Sequence, residues 1–244
     1  MFNFLRKLRQ KEFNGRYFKY AIGEIILVVI GILIALQVNN FNEQNKENQK
    51  EQELLSLLKI DLESLLEELN SDLINAQYLI NVTDSILLYN PLKSNKPIAD
   101  FFVPNEDGLW ALTDVKLYPS KATYETIKSI GIELIKDSDL RLKIIDLYER
   151  KIARVNLWEN LVYDYEHRLL KIAEQHMVRK FGKSVNLDPY FVPKDYKSFS
   201  ELKEFNNALA IYQDRRRFTV ARYENVKLLT TDIIKTLDNY ITKL

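Results

Sequence analysis

Apolar positions along the chain form one unbroken run followed by three amphipathic stripes. The run is YAIGEIILVVIGILIALQV, Tyr20–Val38, nineteen residues in which Glu24 is the one charged group. As a helix it covers roughly 28 Å, close to the roughly 30 Å hydrocarbon thickness of a bilayer. Ile25–Leu36 is apolar all round, whereas a helix seated on a globular core keeps a polar face. The run ends in ALQVNNFNEQ, without the small-residue pattern of a cleaved export signal, so an uncleaved anchor is the better reading. The next stretch, Asn39–Glu53, has one apolar residue in fifteen. It reads as a polar spacer, either continuing the membrane helix or fraying.

Beyond the spacer the spacing turns helical. Leu55, Leu58, Leu62, Leu65, Leu69, Leu73, Ala76, Ile80 and Leu87 recur at three- and four-residue steps, and Pro91 ends the pattern. A second stripe runs through Ile145, Tyr148, Ile152, Val155, Trp158, Val162, Tyr165, Leu169 and Ile172. Asp137 or Ser138 is its N-cap, and Gly182 lies just past its end. A third holds Leu202, Phe205, Leu209, Tyr212, Tyr223, Val226, Ile233, Leu237 and Tyr240, opening at Ser198 with Glu201 in a capping-box pattern.

The expected fold is all-α: one transmembrane helix, then an elongated, coiled-coil-like bundle of three long helices in up–down–up order. Between the first two helices, 91–119 carries four prolines with Phe101, Phe102, Trp110 and Tyr118. SKATYETIKSI then reads as a short helix stopped by Gly131. The expected organisation is a leader (1–19), a span (20–38), a spacer (39–53) and a bundle (54–244), with 91–137 inserted as a cap at the end farthest from the membrane.

Charge sets the orientation. The whole chain carries 35 basic and 34 acidic residues, a balance that argues against a nucleic-acid partner. Residues 1–38, however, hold six basic groups and two acids, leaving the rest with an acidic excess. Basic flanks stay in the cytoplasm. The N-terminus is therefore expected inside and the bundle outside, in the periplasm of a two-membrane cell whose inner membrane holds the span. Aromatic and basic residues alternate in the leader, as in a segment lying along headgroups, although a disordered basic tail fits residues 1–12 equally.

Candidate chemistry is sparse. The absence of cysteine excludes disulfides and thiolate chemistry. No phosphate loop, nucleophile elbow or metalloprotease motif occurs. The two histidines, His167 and His176, do not form a ligand pair. Neither a metal nor a cofactor is expected, and enzymatic activity is not expected.

Glu24 lies about one turn inside the cytoplasmic edge, where it can reach water or Lys19. It also shares a side with Gly31 and Ala35, within about 40°. That small-xxx-small pair suits a helix–helix contact. An ion path through a lone span is the weakest reading of Glu24. Arg216 falls on the third stripe and so faces the core or its edge. In an up–down–up bundle it lies level with Asp72 and Trp158, as a buried ion pair or an anion site. Phe101, Phe102, Trp110 and Tyr118 form either a hydrophobic lid or a partner-binding surface.

YFKYAIGEIILVVIGILIALQVNNFNE, Tyr17–Glu43, resembles the opening of a family of uncharacterised single-pass bacterial membrane proteins, known mainly from Bacteroidota. Gly23, Glu24, Gly31, Asn40 and Asn42 carry the likeness. YPSKATYETIKSIGIELIKDSDLRLKIIDLYE, Tyr118–Glu149, is similar to that family's second recurrent block. The resemblance implies the anchored topology and brings no activity. The functional expectation is an interaction or scaffold module within a larger envelope complex. Its partners would be the bilayer and proteins, or further copies of itself, met through the span and the cap. A ligand-sensing bundle is the alternative.

Overall fold

The computed structural model of the chain describes residues 15–89, 98–102, 112, 113, 115–180, 190–195, 198 and 201–242. In chain order its elements are α1 (Gly15–Leu87), a 3₁₀ turn (Ile98–Phe102), α2 (Ala122–Ile130) and a second 3₁₀ turn (Ile132–Leu134). Then follow α3 (Ser138–Ile145), a π-helical stretch (Asp146–Ile152), α4 (Ala153–His176), β1 (Met177–Lys180), β2 (Tyr190–Pro193) and α5 (Lys203–Ile241). They divide into two units, Met1–Gln52 and Glu53–Leu244.

In the first unit every side chain described from Lys19 to Glu47 is exposed, the apolar run included. The spacer is helical throughout, since α1 continues across it. Asn39 donates to the Glu43 carboxylate one turn on, at 3.2 Å, a bond of the kind that supports a polar helix outside a core.

The second unit is a helical bundle with two apolar clusters along its length. The first gathers Leu55, Leu58, Leu62, Leu65 and Leu69 of α1 with Leu140, Ile144, Leu147, Ile152 and Val155 of the α3–α4 run, and with Tyr223, Val226, Ile233 and Leu237 of α5. The second gathers Ile86 with Leu169, Ile172 and Met177, and with Phe205, Leu209 and Tyr212. Rising residue numbers lead from the first cluster to the second in α1 and in α3–α4, and the other way in α5. The order is therefore up–up–down, not up–down–up. Apolar stripes fix which face is buried but carry no direction. Parallel neighbours need a long crossover, and residues 88–137 supply it.

The expected single cap over 91–137 accordingly divides. Phe101, Phe102 and Leu112 pack with the Ile86 end of the bundle. Leu117, Tyr124, Ile127 and Ile135 pack with the Leu55–Leu69 end.

Local signals explain most element boundaries. Asp137 caps α3, its carboxylate accepting from the N–H groups of Asp139 and Leu140 at 2.9 Å each. Gly131 stops α2 with φ 128°, a left-handed conformation that an L side chain would strain, while its N–H returns to the Ile127 carbonyl. Two boundaries differ from expectation. The second helix ends at His176, where Met177 turns extended and its side chain joins the second cluster; β1 then pairs antiparallel with β2, Met177 opposite Pro193. Ser198 does not cap α5. Its N–H and hydroxyl are held by Asp195, and the N-cap position falls to Leu202, with no side-chain cap bond. Such local capture by a short carboxylate competes with capping.

Candidate functional site

The descending half of the crossover runs through residues 115–121 without helix or strand, so its peptide groups need partners from side chains. The Thr113 carbonyl accepts from Arg216 Nη2 at 2.8 Å and from the Tyr212 hydroxyl at 3.3 Å. Glu159 accepts the Leu117 N–H at 3.0 Å, and Glu68 the Tyr118 N–H at 2.7 Å. Asp61 accepts from Thr123 N–H at 3.4 Å. The Tyr223 hydroxyl donates to Glu159 at 2.5 Å and lies 3.2 Å from the Val115 carbonyl. Long polar side chains from α1, α4 and α5 thus hold this strap.

Arg216 is 3% exposed, as its place on the stripe predicts, but its role differs. It donates to Thr83 Oγ1 at 3.2 Å and to the Tyr212 hydroxyl at 2.7 Å, besides Thr113. The space beside Arg216, Glu159 and Tyr223 is about 10 Å³, no more than one water's worth. An anionic ligand does not fit there.

The expected match with Asp72 fails for a topological reason. Lys59–Asp238 at one end and Asp84–Arg217 at the other fix the antiparallel register of α1 and α5, which sets Asp72 level with Val226. Asp72 instead lies by Glu68 and Glu159. Burial, then those two negative charges, push its carboxyl up to about 6.

Trp158 does sit near the level of Arg216, but on the outer seam between α4 and α5. Its ring centre lies 3.9 Å from the Arg222 guanidinium, 5.4 Å from that of Arg215 and 5.5 Å from the Phe218 ring. Tyr165, two turns on, lies 5.4 Å from Arg168 and 5.8 Å from Arg215. Arg154 faces Arg222, whose cation is disfavoured first by burial and then by that like charge. Further along, the seam opens into a cleft of about 600 Å³, lined by Arg168, Lys171, Gln175, Glu204, Asn207 and Ile211 among others.

Elsewhere Lys59, Lys128, Lys143, Arg150 and Arg217 each meet a carboxylate. Among the described residues Arg154, Arg168, Lys171, Arg215 and Arg222 form no ion pair. Sequence reasoning missed this seam because Trp158 and Tyr165 lie on the edge of an apolar stripe and read as core. The signal was available: 154, 158, 165 and 168 share one helical face, as do 211, 215, 218 and 222.

The remaining candidates scatter. Phe102 is fully buried, its ring 6.4 Å from that of Phe205, so it belongs to the core and is no partner contact. Phe101 is half-buried beside Tyr89, at 6.3 Å between ring centres. Tyr118 is 77% exposed, and Trp110 lies outside the described residues. His176 is exposed; so is His167, whose Nδ1 lies 3.1 Å from the Tyr163 carbonyl. Glu24, Gly31 and Ala35 are all exposed, and a Cβ added at Gly31 meets nothing within 4 Å.

Residues 24–188 match the model of a family of unknown function, DUF6090. The chain belongs to this family. The family carries no assigned activity; its match takes in the strap and α4, and ends before α5, which supplies Arg215, Phe218 and Arg222. A stretch of 106 residues, 42% of the chain, is 32% identical to Protein Ycf2 of Illicium oligandrum and spans 4% of that protein's length. No solved structure gives a significant match. α1 is long and apolar enough to cross a membrane, by length and composition.

Proposed function

We propose that this protein is a single-pass, membrane-anchored interaction module, with its N-terminus in the cytoplasm, its bundle in the periplasm and a place in a larger envelope complex. The basic leader supports that orientation. One observation carries the interaction reading. The interior polar groups, Arg216, Glu159 and Glu68 among them, are occupied in holding the strap, whereas the seam presents cations and rings with no carboxylate partner among the described residues. Cations that the fold stacks on rings but leaves without a carboxylate are what an interaction surface can offer an acidic partner. Enzymatic activity is not part of the proposal.

The test is co-purification from detergent-solubilised membranes with quantitative identification. Proteins recovered with the wild-type chain and depleted with Arg215→Glu/Arg222→Glu support the reading; an unchanged set, or none beyond background, overturns it. A ligand-sensing bundle is the second reading, favoured by the cleft of about 600 Å³, which is large enough for a small molecule.

A further inference from the structure

The seam has a length, a floor and a charge. It follows α4 from Arg154 to Gln175, about 30 Å at the rise of an α-helix, and antiparallel α5 borders it along that length. Its floor is apolar and accessible: Phe218 is 52% and Ile211 41% exposed, with Ile172 and Ala208 between the helices. Cations flank the floor: Arg154, Arg168 and Lys171 on α4, Arg215 and Arg222 on α5. The acids near them, Glu204 and Asp214, form no ion pair with them among the described residues. Burial disfavours the Arg222 cation first, and the like charge of Arg154 beside it adds to the cost. Such an arrangement is relieved by an anion.

A groove between two antiparallel helices receives a third helix by ridge-into-groove packing, making the outer side of a four-helix arrangement. An extended polyanion would satisfy the cations but gain little from an aliphatic floor. A helix with apolar residues at three- and four-residue steps and carboxylates on both flanks satisfies both features at once.

We propose that the α4/α5 seam is the docking groove for an acidic amphipathic helix of another protein, with its apolar edge on Phe218 and Ile211 and its carboxylates on the flanking arginines. This rests on the interaction reading above and names the partner's chemistry.

The test places a photo-cross-linking phenylalanine analogue at Phe218 of the full chain, expressed in its native cells, and sequences the adducts. A parallel chain carries the analogue at Tyr118, outside the seam. The expected Phe218 adduct is a segment of another protein with carboxylates and apolar residues at helical spacing. Arg168→Glu/Arg222→Glu should cut its yield at least tenfold with an unchanged unfolding temperature. Raising the salt in isolated wild-type membranes before irradiation should lower it too, an effect that needs no variant.

Adducts with a second copy, lipid or polysaccharide overturn the proposal. So do a segment lacking that pattern, a yield indifferent to charge and salt, or no adduct at all. If Tyr118 yields a protein adduct and Phe218 none, the interaction reading stands and the seam falls. If neither does, both fall.

Discussion

Arg216 donates a 2.8 Å hydrogen bond to the carbonyl of Thr113, a residue 103 positions earlier in the chain. The bond joins α5 to the crossover, and with Tyr212 and Tyr223 it makes α5 a principal anchor of a strap that is neither helix nor strand.

Replacing Arg216 with Met keeps much of its length and removes the donors. The Thr113 carbonyl then loses its shorter bond in a part-buried setting, and the bundle should lose about 2–4 kcal/mol. Tyr223→Phe, which leaves Glu159 without its hydroxyl donor, should cost about 1–2 kcal/mol. Chemical unfolding of the full chain in detergent, followed by circular dichroism, measures both. A loss below about 1 kcal/mol for Arg216→Met would show that its own bonds do little to hold the strap.

Asp72 gives the bundle a pH slope. Its carboxyl is pushed up to about 6 in the folded protein, against about 4 for an ordinary aspartate. The folded state thus binds this proton more tightly than the unfolded chain. Its contribution is fully present below about pH 4 and is lost as pH rises to about 6. Solvent on the exposed side screens the effect to about 1 kcal/mol. Asp72→Asn should therefore raise the unfolding temperature at pH 7.5 and leave it nearly unchanged at pH 4. Equal effects at both pH values would rule out the titration of Asp72.

Phe102 and Tyr118 should behave oppositely, though both belong to the aromatic-rich crossover. Phe102→Ala opens a cavity beside Phe205 and should cost about 3–5 kcal/mol. Tyr118→Ala, at a side chain that is 77% exposed, should change stability by no more than about 0.5 kcal/mol. Unfolding temperatures of the two variants decide the matter, and similar losses would contradict the burial of one and the exposure of the other.

Gly31 tests whether the span self-associates. A Cβ at this position meets nothing within 4 Å, so Gly31→Ile should leave the single helix undisturbed. Two helices packed through Gly31 and Ala35 would be forced apart. Cross-linking between copies in membranes should fall several-fold in the variant; unchanged yields would remove the span as a contact.

Much of this architecture is legible in the sequence because it depends on local spacing. The leucines from Leu55 to Leu69 mark the buried face of α1, Asp137 marks the start of α3, and Gly131 marks the end of α2. Direction is not local. An apolar stripe reads alike from either end, so the parallel pairing of α1 with α4 had no signal in spacing. That one ambiguity carries through to the site: the stripe places Arg216 in the interior but levels it with Asp72, whereas the antiparallel register offers it Thr83 and Thr113. The β hairpin escaped for a different reason. MVRK and YFVP are four-residue strands, too short for alternation to stand out. The cationic seam appears only when two separate helical faces are laid side by side.

The strap also sets the timing of assembly. Thr113 and Val115 are synthesised long before Tyr212, Arg216 and Tyr223, the groups on α5 that bond their carbonyls. At roughly 5–20 residues per second, about a hundred intervening residues leave the strap waiting roughly 5–20 s on a growing chain. During that interval Leu117, Ile127 and the leucines of α1 have no complete core to enter, and the backbone between them is open to proteases and chaperones. A chain interrupted before α5 is thus not a shorter bundle. It is an unassembled segment that lacks its last helix.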